Sequence, residues 1–434
     1  MRLRRKFLTL ASAAILVLGF NKFARADVYR ILNNPNEAFQ ARIDLIQHAK
    51  VSIDLSYYAW SDDLQARQIL GLLKEAAEVR HVKVQLIVDA GASHISPATR
   101  LYLASFGVQV REYLPFRILF PNTWFHSMHV KFMVVDQETL LMGGRNMEAG
   151  YFELPAKNLF QDRDVIIQGE AVEEASKYFR DLWNSDIVYF RIRALRGESV
   201  EDAGDKIARA AEQLSIDAAW CLNSNFDWTR AAHTDSKVHF IHDQIGQRKF
   251  HKRVGDEIYA LMDRARESIT IETAYLTVNG SFLRVLKRAV DRGVHIRILT
   301  NSLASNDVLT SQAGYLARRR TLIRMGIELW EYSGDRTFHI KSSIIDNHVS
   351  VIGSFNLDPI SRDLNAETIS YVEDPEIAQE LRIAMDDNLK WANQIGHDGK
   401  PMGKSSRFPG VPWTKVAKMQ LLRYLVVPIL RGLL

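Results

Sequence analysis

Two copies of one spaced pattern constrain this chain more tightly than anything else in it. The first reads His129-Val130-Lys131, four residues, Asp136, six residues, then Gly143-Gly144-Arg145-Asn146. The second reads His339-Ile340-Lys341, four residues, Asp346, six residues, then Gly353-Ser354-Phe355-Asn356. One copy of so short a pattern is only suggestive. Two copies with glycine and asparagine in step make chance a poor account of either.

The flanks repeat as well. Ala49 to Tyr58 matches Ala265 to Tyr275 in type and order, and both alternate apolar with polar residues, as half-buried strands do. Helical stretches follow at Leu70 to Ala77 and Leu283 to Val290, then apolar strands at Val82 to Val88 and Val294 to Leu299. A glycine and a β-branched residue recur at Gly107-Val108 and Gly326-Ile327. Strands alternating with helices predict an α/β fold of two duplicated lobes, each a mixed sheet flanked by helices. The repeat, from position 129 to position 339, is far too long for a solenoid. Counting eleven residues on from Asp164 reaches Ala175, and eleven from Glu367 reaches Ala378, which pairs Asp164 with Glu367 and Asp162 with Asn365. The expected division is a first lobe at 27–195, a helical connection with irregular ends at 196–245 and a second lobe at 246–397.

Histidine and lysine two residues apart on a strand share a side, so each motif sets an imidazole beside an ammonium able to engage one phosphate. Histidine suits both attack and proton transfer because its ordinary pKa lies near neutrality. Lys131 and Lys341 offer charge to non-bridging oxygens, and Asn146 and Asn356 add neutral donors for transition-state charge. Two histidines divide the work: one attacks phosphorus, the other protonates the departing alcohol and then activates the acceptor. Asp136 and Asp346 fall on the opposite strand face and read as structural, with Gly143, Gly144, Gly353 and Ser354 supporting the turns. A metal site is disfavoured, because H-x-K puts a cation where a second ligand belongs.

On these residues the chain resembles the phospholipase D superfamily, in which two such motifs meet at one phosphodiester-cleaving site. The resemblance implies lobes related by a pseudo-two-fold axis, with the site between them and a phosphohistidine intermediate. It implies His129 as nucleophile and His339 as general acid then base, although the near symmetry leaves the exchange of roles open. Asp164 and Glu367 then orient the histidines' second nitrogens, as the acid of a triad does. No cofactor is implied. Gly353 to Glu367 is similar to the G-S-x-N-x-D-x-R-S-x-x-x-N-x-E signature of bacterial cardiolipin synthases, departing at Ile360-Ser361 with Arg362 one place late. Gly143 to Phe152 resembles their G-G-R-N-I-G-D-E-Y-F, with Ala149-Gly150 in place of the acidic pair. The likeness runs over residues 35–395 and implies a phosphatidyltransferase with phosphatidylglycerol as donor and acceptor. Hydrolysis to phosphatidic acid is the alternative, and a phosphodiester nuclease a third.

Charge bears on that choice. The formal net charge is +5, with six basic and no acidic residues in 1–26 and seven basic and one acidic in 398–434, which leaves −7 over 27–397. An acidic body is a poor nucleic-acid footprint, whereas a basic tail fits an anionic phospholipid membrane. In the tail, Lys415, Lys418, Arg423 and Arg431 are mixed with Trp413 and a run of apolar residues, with Pro428 placed to end a helix. A helix docked on the body is the competing reading. The N-terminus joins a basic cluster at Arg2 to Lys6 to an apolar run ending at Phe20, then Ala24-Arg25-Ala26. It reads as an export signal, twin-arginine in look and cut before Asp27, with an uncleaved anchor as the alternative. The expected location is the periplasmic face of the inner membrane, or secretion, as a monomer. Tyr113, Phe116, Phe120, Trp124 and Phe125 either line an acyl-chain entrance or pack a core, and the lone Cys221 reads as a small buried hydrophobe.

Overall fold

The computed structural model describes residues 27–113, 126–153, 156–190, 195, 197–217, 227–244, 251–402 and 410–426. The expected leader, Cys221, Phe116, Phe120, Trp124, Phe125 and Pro428 lie outside the described residues.

The first lobe runs β1 (Val28–Leu32), α1 (Pro35–His48), β2 (Ser52–Tyr57), α2 (Leu64–Glu78), β3 (Lys83–Asp89), α3 (Pro97–Ser105), β4 (Val108–Tyr113), β5 (Lys131–Val135), β6 (Thr139–Gly143), β7 (Phe160–Gln161), β8 (Asp164–Gln168), α4 (Glu170–Trp183) and β9 (Val188–Tyr189). Then come α5 (Val200–Asp217), β10 (His233–Thr234) and β11 (Val238–His242). The second lobe continues with α6 (Arg253–Arg264), β12 (Ser268–Thr273), α7 (Gly280–Asp291), β13 (His295–Asn301), α8 (Leu309–Arg324), β14 (Glu328–Tyr332), β15 (Thr337–Phe338), β16 (Lys341–Ile345), β17 (Val349–Gly353), α9 (Pro359–Asp363), β18 (Thr368–Glu373), α10 (Pro375–Leu389) and β19 (Ala392–Gln394). A last helix, α11 (Trp413–Leu421), lies in the tail.

Local chemistry sets many of these boundaries. Asn34 accepts from the amides of Asn36 and Glu37 with Pro35 opening α1, and Asp374 accepts from those of Glu376 and Ile377 with Pro375 opening α10. Gly107 and Gly326 follow α3 and α8 at φ +92° and +83°, the left-handed stop that glycine takes without penalty. Asp136 and Asp346 each turn the chain after the motif strand, at φ 53°. The Asp136 carboxylate accepts from the amides of Lys50, Val51 and Ser52, and that of Asp346 from Arg266, Glu267 and Ser268. Both are structural staples pinning the motif strand to its neighbour.

The first sheet has the order β10-β1-β8-β6-β5-β2-β3-β4-β9, and the second β11-β18-β17-β16-β12-β13-β14-β19. Without β10 the two orders correspond strand for strand. This corrects the expected boundary at 246. The segment 196–245 supplies β10 to the first sheet and β11 to the second, while α5 packs on α2 and α3. The half-buried expectation for β2 also changes. All six of its residues are buried, because Ile53, Leu55 and Tyr57 pack into the first lobe's core on one face and α4 covers the other. A second core, on the α4 side of that sheet, spans both lobes. That shared core joins Phe132, Val134 and Phe179 of one lobe to Phe240, Ile344 and Val372 of the other.

The lobes also exchange backbone hydrogen bonds reciprocally. The amide of His129 donates to the Ala366 carbonyl at 2.9 Å, and the amide of His339 to the Gln161 carbonyl at 2.7 Å. Strands β7 and β15 pair in parallel across the same junction. Each motif is thereby laid against the stretch of the other lobe that carries an acid.

Candidate active site

That exchange decides which acid meets which histidine. His129 Nδ1 lies 3.0 and 2.9 Å from the two carboxylate oxygens of Glu367, and His339 Nδ1 lies 2.6 Å from Asp162 Oδ2. Asp162 therefore takes the place expected for Asp164. The register shows why: Gly143 stands opposite Asp164, but Gly353 stands opposite Ile369. The acid facing each histidine sits two residues before that position, at Asp162 and Glu367. The match between Ala175 and Ala378 that paired Asp164 with Glu367 was a coincidence inside two helices. Counting back from the helix starts gives the right answer, since Asp162 is seven residues before Gly169 and Glu367 seven before Asp374.

Asp164 has a different task. Its carboxylate is fully buried, 2.9 Å from Arg42 and 3.1 Å from Arg145. Arg145 also donates to the carbonyls of Leu32, Asn33 and Asp162, which fixes the loop carrying Asp162. Beside it, a Cβ on Gly144 would overlap the Asp162 carboxylate, so close approach requires glycine there. At the matching place, the Ser354 hydroxyl donates to Glu367 instead.

Both imidazoles line one cavity of about 440 Å³, together with Asn146, Asn356, Tyr58, Tyr151 and Glu148. Tyr58 sets its edge against His129 at 4.8 Å between ring centres, and Tyr151 does the same to His339 at 5.3 Å. Asn146 donates to the Tyr151 hydroxyl, while the Asn356 side-chain oxygen is buried with no hydrogen-bond partner among the described residues. Lys131 and Lys341 are buried one layer back. Each ammonium donates to the carbonyl of its own motif histidine, so in this arrangement neither forms the cavity wall.

Burial pushes the His129 pKa down to about 4, with the charge of Lys131 adding to it and Glu367 opposing. Burial also lowers His339, aided by Lys341 and opposed by Asp162. For the two carboxyls burial works the other way, but the lysine charges and the hydrogen bonds from the imidazoles beside them win and hold both below the ordinary range. An ionised carboxylate only accepts, so each Nδ1 carries the hydrogen and each Nε2 keeps a free lone pair. Two neutral, oriented imidazoles in one cavity can attack and transfer protons at a single centre.

Several contributors were not read from sequence. Asp162, Tyr58 and Tyr151 touch the histidines directly. Asp89 accepts from the Met128 amide at 2.8 Å, and Asp243 from the Glu367 amide at 3.1 Å, each anchoring backbone beside a motif group. Burial raises their pKa values to about 6 and about 7. Of the aromatic group before His129, Tyr113 is a fully buried core residue.

Comparisons with known proteins identify the family. The profile of the family described as "Cardiolipin synthase, PLD-like domain" matches twice, at residues 43–183 and 258–388. Cardiolipin synthase C of Escherichia coli (strain K12) is 30% identical over 391 residues, covering 79% of this chain and 80% of that protein. Cardiolipin synthase B of the same organism is 27% identical over 369 residues, covering 83% and 79%. Among solved structures, phosphatidylserine synthase of Haemophilus influenzae Rd KW20 superposes with a TM-score of 0.69 at 16% identity, over 94% of this chain and 95% of that one. At that identity the likeness speaks for the fold alone.

Proposed function

The chain belongs to the cardiolipin synthase, phospholipase D-like family and is a phospholipase D-type phospholipid enzyme, and from that premise we propose that it makes cardiolipin from two molecules of phosphatidylglycerol. The observation that carries the proposal is the pair of imidazoles facing one cavity, each with Nδ1 held by a carboxylate from the opposite lobe.

His129 takes the part of nucleophile and His339 that of acid and base; burial keeps both imidazoles neutral, so the labelling test below decides between this order and its exchange. The Nε2 of His129 attacks the phosphorus of the first phosphatidylglycerol, and a P–N bond forms as the P–O bond to the glycerol headgroup breaks. The departing oxygen takes a proton from His339, whose proton affinity rises when a phosphodiester anion enters beside it. Neutral His339 then removes the hydroxyl proton of the second phosphatidylglycerol. That oxygen attacks phosphorus, the P–N bond breaks, and His129 is regenerated. Lys131 and Lys341 lie behind the centre, where burial lowers their pKa values and the carboxylates of Glu367 and Asp162 support their charged form, while Asn146 and Asn356 face it. Glu148, Asp307 and Asp358 also line the cavity and offer acceptors for glycerol hydroxyls, which favours an alcohol over water as the second substrate. The enzyme works outside the inner membrane, as its N-terminal sequence reads.

The test is turnover of phosphatidylglycerol labelled in its headgroup by the full chain, with products separated by thin-layer chromatography. Cardiolipin and free glycerol in equal amounts are expected. Phosphatidic acid as the sole lipid product would replace transfer by hydrolysis. With phosphorus-labelled substrate, His129→Ala forms no covalent adduct, and His339→Ala retains label on the protein when the leaving group is activated. The reverse pattern would exchange the two roles.

A further inference from the structure

The described tail presents two apolar faces, and the body covers one of them. Helix α11 buries Met419 fully and packs Val416 against the second lobe's core, leaning on α8. On the other side, Trp413 is 78% exposed, Leu421 59%, Tyr424 67% and Leu425 58%. Trp413, Ala417, Leu421 and Tyr424 recur every three or four residues, so on a helix they form one stripe. Among the described residues no helix is long and apolar enough to cross a membrane.

Three observations identify what covers that stripe. From Gly399 to Leu434 the chain carries basic residues and no acid, while 27–397 carries a net −7, so an anionic surface attracts the tail and repels the body. The helix is tied to the cavity rim: the Lys415 ammonium donates to the carbonyls of Ala304 and Asn306, and the next two residues, Asp307 and Val308, line the cavity. Finally, a cavity of about 440 Å³ has room for a phosphodiester head but not for two acyl chains as well, and half-exposed Val308 and Ile360 stand on its wall.

We propose that the exposed stripe of α11 and the turn after it, residues 413–425, is an interfacial docking surface for an anionic phospholipid bilayer, and that its tie through Lys415 to residues 304–308 sets the cavity mouth against that bilayer. The inference deepens the lipid reading of the site and rests on it for the choice of partner. Its test involves no turnover, so the two fail separately.

The full chain is sedimented with vesicles of phosphatidylcholine alone or with phosphatidylglycerol added, at low and high salt. Binding is expected to be stronger by about tenfold or more on the anionic vesicles and to weaken with salt. Trp413→Asp with Leu421→Asp is expected to lower anionic-vesicle binding by about tenfold or more, since both anchors lose their apolar contact. Lys418→Glu with Arg423→Glu tests charge with the apolar stripe intact and is expected to remove the preference for anionic lipid. Circular dichroism and thermal melting confirm that each variant is folded. Wild-type binding by the Trp413/Leu421 variant overturns the proposal, as does equal binding to both vesicle types. A dimeric wild type that this variant turns monomeric assigns the stripe to a second copy of the chain and overturns it too.

Discussion

The two lobes share one strand order, yet at one place they solve the same packing problem in opposite ways. In the first lobe Arg42, Arg145 and Asp164 form a buried ion triad behind the motif loop. The register puts Phe355 at the place of Arg145 and Ile369 at that of Asp164, and the helix ends at Ala49 and Ala265 put Ile258 at that of Arg42. All three replacements sit in the second lobe's apolar core. Buried ion groups often contribute no more than well-packed hydrophobes of similar size, while removing one partner leaves a stranded charge. The second lobe needs no charge there to hold its acid. In the first, the triad holds three backbone carbonyls around Asp162 through Arg145, which a phenyl ring cannot do.

The sharpest test sets the two neighbouring aspartates apart. Asp162→Asn is expected to lower kcat by about 10²- to 10⁴-fold with little change in melting temperature, because it spoils the orientation and charge partner of His339. Asp164→Asn is expected to cost about 3–5 kcal/mol of stability by stranding two arginines, with the surviving folded fraction still active. Urea unfolding and single-turnover rates separate the two, and matching effects would dissolve the distinction. Copying the second lobe through Arg42→Ile, Arg145→Phe and Asp164→Ile together is expected to restore much of that stability but not the rate.

A smaller effect follows from the residues touching the two acids. Gly144→Ser is expected to cost about 10²-fold in kcat, since its side chain meets the Asp162 carboxylate. Ser354→Gly removes one hydrogen bond to Glu367 and is expected to cost only about three- to tenfold. Equal losses would mean that the two acids tolerate the same neighbour.

The smallest effect lies in pH dependence. Protonated His129 has no lone pair, so kcat/KM is expected to hold from neutrality down to about pH 5 and fall through about 4, where an ordinary histidine would bend it near ~6.5. The same depression makes the stability contribution of His129 complete above about 6.5 and lost as pH falls towards 4, because the unfolded chain takes up the proton first. Glu367 raises this pKa, so Glu367→Gln should move the acid limb lower still. A limb near 6.5 in the wild type would refute neutral His129 as the attacking group.

The paired motifs, the lobes around them and the structural part of Asp136 and Asp346 were legible because fixed spacings within one strand and turn carry them. The acid partner of His339 was not, because it depends on strand register: Asp164 lies twenty-one residues beyond Gly143, whereas Ile369 lies sixteen beyond Gly353. Strand β11 was hidden for a related reason. Its five residues set two histidines among three apolar side chains without strict alternation, and their partner in the sheet, β18, lies far along the chain. Asp243, just beyond it, acts through the backbone amides of Glu367 and Val254, contacts no residue pattern announces.

The reciprocal lacing of the lobes has a genetic consequence. Since each imidazole borrows its acid from the other half, a lone half holds no finished acid–base pair, and two identical halves would have to keep every residue serviceable in both settings. Carried on one polypeptide, the halves are released from that sameness. A substitution strikes only one side, so one half can keep its arginines while its twin fills the same space with oil.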